Sequence, residues 1–186
     1  MPILSASDHN ASSRTLRGFM DPAANDIARK LVAMKVLIVD DEHTMRKVIR
    51  SLLQAVGIRT IYEANDGQSG LEAIRTLLPD AVILDWEMPR PNGAEFVRAV
   101  RSPETFPLPN VPIIMLTGHG ERSRVIEAIN LGVNDFLLKP VSSKALLSRL
   151  IALIAQPRRI VRMGDYYGPE PRHLSSYRVE SDPAWV

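Results

Sequence analysis

Four short stretches place reactive side chains at the ends of apolar runs. Asp40 and Asp41 lie in LIVDDE (37–42), Asp85 in ILDWEMPRPNG (83–93), Thr117 in IIMLTG (113–118) and Lys139 in DFLLKP (135–140). Taken singly, each has an ordinary explanation. Acids often close a strand or cap the next helix, a strand-end threonine is commonly a turn hydroxyl, and a Lys-Pro step often just stops a strand. Gathered in one place they imply chemistry. Three carboxylates would repel one another unless a cation sat among them, and hard carboxylate oxygens favour Mg2+ over softer metals.

Whether these residues gather depends on the elements that carry them. From Lys35 onward the hydrophobic pattern alternates between two periods. The runs 35–41, 58–64, 81–85, 112–118 and 134–140 read as strands, and the unbroken apolar character of KVLIV fits a parallel strand covered on both faces. Between them, apolar residues recur at helical spacing. Met45, Val48, Ile49, Leu52, Leu53 and Val56 form one such set, with Gly57 placed to end the helix. Leu71, Ile74, Leu77 and Leu78 form a second, stopped by Pro79. Phe96, Val97 and Val100 form a third, and Val125, Ile126 and Ile129 a fourth. Ser142 can cap the last, which carries Leu146, Leu147, Leu150, Ile151 and Ile154. Five strand–helix units predict an α/β fold: a doubly wound, five-stranded parallel sheet with helices on both faces. Such sheets bind ligands at the carboxyl ends of their strands. The reactive residues all stand at those ends, on the first, third, fourth and fifth strands.

The remaining sequence bounds the function. A chain of 186 residues suits one ordinary domain with extra length, and 45% hydrophobic and 24% charged residues supply material for a packed core. The absence of cysteine removes disulfides, thiolate metal sites and a Cys nucleophile. No run approaches the roughly 18 apolar residues of a membrane span, so no membrane association and a cytoplasmic location are expected. Net charge is +2, and residues 35–155 balance 14 Lys+Arg against 14 Asp+Glu, which argues against a nucleic-acid footprint. Residues 1–34 read as a flexible leader followed by a short helix opening at Asp21-Pro22, with Ala24, Ile27 and Leu31 at helical spacing. Met20 and Met34 are alternative initiators. Residues 157–186 mix prolines with Arg, Tyr and Trp and read as an extended tail.

The motifs quoted above resemble the receiver domain of bacterial two-component response regulators, across residues 35–156, with five functional positions in order on the matching strand ends. The resemblance implies a flavodoxin-like (βα)5 fold and a stand-alone receiver without a recognisable output domain. It implies Asp85 as phosphoacceptor for a histidine kinase or histidine phosphotransfer domain, in a protein that catalyses only its own phosphorylation and dephosphorylation. Asp40, Asp41, Asp85 and the backbone carbonyl of Glu87 would hold Mg2+. Lys139 and Thr117 would bind the phosphoryl group, with Gly118 leaving room beside them. Thr117 and Phe136 would form the switch, Phe136 lacking the hydroxyl of the commoner Tyr. A homodimer through the fourth helix, fifth strand and fifth helix is a further expectation. Glu87 and His119 fall where the family modulates dephosphorylation, and an acid paired with an imidazole there would lengthen the life of the phosphorylated form. The protein could equally act as a phosphorelay intermediate. A haloacid-dehalogenase-type phosphatase would need a DxDxT motif on the first strand; here the candidate lies on the third, with Glu87 and Pro89 in place of the second Asp and the Thr.

Overall fold

Aliphatic runs of four or five residues, bounded by turn residues, are too short for helices and must bury both faces. In the computed structural model, which describes residues 22–118 and 122–171, they become the strands of one parallel sheet. The order of elements is α1 (Pro22–Ala33), β1 (Lys35–Val39), α2 (His43–Ala55), β2 (Thr60–Ala64), α3 (Gly67–Leu77), β3 (Ala81–Asp85) and α4 (Gly93–Val100). There follow β4 (Ile113–Thr117), α5 (Arg122–Leu131), β5 (Asp135–Leu138), α6 (Ser143–Ala155), β6 (Ile160–Met163) and β7 (Tyr166–Pro169). The five-stranded sheet runs β2-β1-β3-β4-β5, all parallel.

Alternation along the strands splits the core in two. Leu37, Val39, Val82, Leu84, Ile113 and Met115 face one layer, shared with Leu71 and Ile74 of α3, Phe96 and Val97 of α4 and Ala128 of α5. Val36, Ile38, Ala81, Ile83, Ile114 and Leu116 face the other, shared with Ile49 and Leu53 of α2 and Leu146 and Leu150 of α6. Successive strand residues point to opposite faces, so the unbroken apolar runs serve both layers. Helix α1 adds Leu31 to the second layer, with Met34 just beyond its end. Two of the expected caps form: Ser142 Oγ accepts from Ala145 N at 3.1 Å, and Gly57 follows α2 at φ +98°.

The reading of residues 157–186 as an extended tail is corrected over 160–169, which form an antiparallel hairpin. The prolines that suggested an irregular chain fall at its margins: Pro157 precedes β6, Pro169 is the last residue of β7 and Pro171 lies beyond. Met163 pairs with Tyr166, leaving Gly164-Asp165 as a two-residue turn with Gly164 at φ +58°, a position glycine fills without strain. A lone hairpin is marginal in water, and this one is docked. Arg158 Nη1 donates to Asn134 O at 2.8 Å, Tyr167 OH to Asn110 Oδ1 at 2.6 Å, and Arg162 pairs with Glu104 at 2.6 Å. Gly168 lies so close to Gly132 that a Cβ on it would stand 2.9 Å from the Gly132 Cα.

Beneath the hairpin lies Arg101, 6% exposed. Its guanidinium donates to Gly132 O (2.8 Å), Pro109 O (2.5 Å), Val111 O (2.9 Å) and Asn134 Oδ1 (3.1 Å). Burial pulls its pKa down to about 10, with the nearby Tyr166 and Tyr167 opposing the change. It is therefore a buried cation at neutral pH, satisfied by carbonyl dipoles. Arg101→Met would strand those acceptors and is expected to cost about 2–3 kcal/mol in urea unfolding. A loss within the error of the measurement would show that water replaces the guanidinium at no cost.

Candidate functional site

The sheet order reverses between β1 and β3, and the crevice at their carboxyl ends is where such folds bind ligands. β1 supplies the acids. Asp40 N still donates to Ala64 O at 3.3 Å, as a strand residue would, but Glu42 N folds back onto Asp40 Oδ1 at 2.8 Å. The chain thus turns at the pair, leaving Asp40 fully buried and Asp41 exposed. β3 delivers Asp85, 4% exposed. One carboxylate oxygen from each of Asp40, Asp41 and Asp85 can be chosen so that all three lie within 4.8 Å of one another.

Lys139, just past β5, reaches across the edge. Its Nζ lies 2.9 Å from Asp85 Oδ1 and 3.3 Å from Asp40 Oδ2, while its backbone N donates to Thr117 O at 2.8 Å. Thr117 ends β4 and is 4% exposed. Burial pushes the Asp85 carboxyl above its ordinary range, aided by the charge of Asp40 and opposed by Lys139 and a hydrogen bond from the Glu87 backbone. For Lys139 burial pulls down, but the hydrogen bond and charge of Asp85, with the charge of Asp40, prevail, so its pKa is raised. One ammonium among three carboxylates leaves an excess of negative charge. Hard oxygen donors at these separations fit a small divalent cation such as Mg2+.

The loop after Asp85 is fixed by close packing. A Cβ on Gly93 would stand 2.7 Å from Asp85 O and 2.8 Å from the Trp86 Cα, so only glycine lets α4 begin against this backbone. Gly93 N donates to Trp86 O at 3.2 Å. Asn92 caps the helix reciprocally with Glu95, the two bonds measuring 2.9 and 3.0 Å.

Residues 36–151 match the family model of the response regulator receiver domain. The chain belongs to that family. Chemotaxis protein CheY of Pseudomonas aeruginosa is 38% identical over 117 residues, covering 63% of this chain and 93% of the relative. CheY1 of Helicobacter pylori is 37% identical over 118 residues, covering 63% and 94%. Among solved structures, chemotaxis response regulator CheY4 of Vibrio cholerae superposes with a TM-score of 0.56 at 33% identity, over 63% of this chain and 95% of that one. The receiver domain of Francisella response regulator 1452 gives 0.60 at 29% identity, over 66% and 98%. A phosphoacceptor role in two-component signalling follows from this membership.

The receiver fold brings together five of the residues singled out in the sequence: Asp40, Asp41, Asp85, Thr117 and Lys139. Gly118 is exposed, and a Cβ there would meet nothing within 4 Å, so the space beside Thr117 is open. Phe136 is half-buried against the core layer that α5 shares. Glu87 is exposed, and His119 lies outside the described residues. Sequence reasoning missed Gly93, although a glycine after Asn at a helix start was a readable cue for close backbone approach. It also missed Arg46, whose guanidinium meets the carbonyls of the acidic pair.

The raised pKa of Asp85 fixes a pH dependence. Between the ordinary value of 3.8 and the raised one, the folded protein holds a proton that the unfolded chain has lost. Stability therefore falls as pH rises through that window, and the cost is complete above it. In metal-free buffer at neutral pH, Asp85→Asn is expected to melt a few degrees above the wild type, with the gap closing as pH falls through that window towards 3.8. A wild type that melts at or above the variant would mean that Lys139 fully compensates the buried charge.

Proposed function

We propose that Asp85 accepts a phosphoryl group from the phosphohistidine of a histidine kinase or phosphotransfer protein. The observation that carries this reading is the placing of Asp85 between the acidic pair and Lys139, whose Nζ stands 2.9 Å away, at the carboxyl edge of the sheet. Asp40, Asp41 and Asp85, with the backbone carbonyl of Glu87, would hold Mg2+. When bound, the ion supplies charge neutralisation for the phosphoryl oxygens.

The remaining chemistry belongs to the chain. An Asp85 carboxylate oxygen attacks phosphorus, the bond from phosphorus to the donor imidazole nitrogen breaks, and the imidazole leaves with the bonding electrons and takes up a proton. Lys139 exchanges its contact with the Asp85 carboxylate for one with a phosphoryl oxygen, conserving a charge-assisted hydrogen bond through the transfer. The open space at Gly118 admits the donor. The Thr117 hydroxyl then binds another phosphoryl oxygen and draws the following loop inward, and Phe136 follows. The surface of α5, β5 and α6 changes as a result, altering partner binding or self-association. In this reading the protein is a phosphoacceptor that catalyses only its own phosphorylation and dephosphorylation.

Incubation with acetyl phosphate and Mg2+ is expected to add one phosphoryl group, detected by intact mass, and Asp85→Asn is expected to add none. Equal labelling of the variant would overturn the assignment. Asp41→Asn is expected to weaken Mg2+ binding roughly tenfold or more, read from the fluorescence of Trp86 beside the acceptor. Amide exchange over residues 122–140 should change on phosphorylation; an unchanged pattern would contradict the switch.

A further inference from the structure

Asp40 and Asp41 pose a geometric problem. Consecutive residues of an extended chain point their side chains to opposite sides, yet both carboxylates reach one small space beside Asp85. The backbone must therefore turn at the pair and be held there. Within the turn, the Glu42 N–H bond to Asp40 Oδ1 ties one carboxylate to its own backbone, and Asp41 is exposed.

Arg46 supplies the restraint from outside. It stands one turn into α2, its side chain 12% exposed. A single nitrogen, Nη1, donates to Asp40 O at 2.8 Å and to Asp41 O at 3.2 Å. Two successive carbonyls are thus turned towards one guanidinium, which fixes the peptide planes on either side of Asp41. The guanidinium is fixed in turn. Its Nε lies 3.4 Å from Glu63 Oε2, and Nη2 contacts His43 Nδ1 at 3.2 Å. Glu63, on β2, is gripped from its other oxygen by Arg50.

Resting on the metal-dependent reading above, we propose that Arg46 is a positioning residue for the divalent cation: by clamping the carbonyls of Asp40 and Asp41 it holds both carboxylates in the arrangement that binds Mg2+. A cation this close to a metal site would by charge alone repel an incoming dication. The Glu63 carboxylate on its other side offsets that charge, so the guanidinium contributes geometry. The two effects have opposite signs, and an experiment can separate them.

The test is Mg2+ titration of the full chain by calorimetry and by Trp86 fluorescence, in wild type, Arg46→Ala and Arg46→Lys. Loss of an outer partner that orients a metal ligand typically weakens affinity 10- to 100-fold. Arg46→Ala is expected to raise the Mg2+ Kd about tenfold. Arg46→Lys keeps the positive charge but lacks the guanidinium that meets both carbonyls, so it should raise the Kd as well, and it keeps the test decisive if Arg46→Ala does not fold. In metal-free protein, amide hydrogen exchange at Asp41 and Glu42 should accelerate in both variants. Tighter Mg2+ binding would show that Arg46 acts only through its charge. A lowered Tm with unchanged Kd would show that it merely ties α2 to the sheet. Either result overturns the clamp while leaving the phosphoacceptor reading standing. A wild type that binds no Mg2+ would overturn both.

Discussion

Three carboxylates that can approach within 4.8 Å of one another, with one ammonium among them, set the terms for the rest of the structure. At an effective dielectric constant of about 20, two such charges repel by roughly 3–4 kcal/mol, a large share of the net stability of a small domain. The exposure of Asp41 relieves part of this, but Asp40 and Asp85 are buried. The fold must hold them against that repulsion without filling the space between them. It does so through the backbone: β1 and β3 are hydrogen-bonded neighbours in the middle of the sheet, and their carboxyl ends can separate only if the sheet does.

That rigidity comes from two independent apolar layers. Each strand contributes alternate residues to each layer, so a shift of β1 relative to β3 would disturb packing on both faces at once. The connections then refine what the sheet places. Gly93 brings the start of α4 against the backbone of Asp85 and Trp86, and the reciprocal cap between Asn92 and Glu95 holds the loop there. Lys139 is secured by its backbone bond to Thr117 O, which ties the ammonium to the strand that carries the hydroxyl.

What could be read in the sequence was what periodicity and strand-end chemistry encode. The five strands of the sheet, the helices between them and the meeting of Asp40, Asp41, Asp85, Thr117 and Lys139 all follow from local pattern plus the rule that parallel sheets bind at their carboxyl edge. The hairpin of β6 and β7 was missed for a local reason. Its turn, Gly164-Asp165, is an ordinary two-residue hairpin signal, but neighbouring prolines outweighed it because their positions at the margins depend on a register that only pairing reveals. Arg101 and Arg46 were invisible for a different reason. Each arginine takes its meaning from carbonyl oxygens, and a backbone carbonyl has no signature in the sequence.

Both additions to the receiver lie at the end of the sheet away from the acids. Met34 leads from α1 into the amino end of β1, and a Cβ on Gly57, shortly before β2, would stand 3.3 Å from Val32 of α1. The hairpin rests on Asn110, Gly132 and Asn134, which precede β4 and β5. This placement separates two demands on one sheet. The carboxyl edge must stay open and strained by like charges if an anion and a cation are to bind there. The amino edge carries no such demand and can be closed with apolar contact and a buried cation satisfied by carbonyls. Helix α5 spans the two regimes. Its amino end follows the open space at Gly118, where a Cβ meets nothing, and its carboxyl end abuts Gly132, where a Cβ would stand 3.0 Å from Tyr167 O. The carboxyl end of the helix is thus pinned beneath the hairpin by backbone packed against backbone, at the edge of the sheet away from the acids.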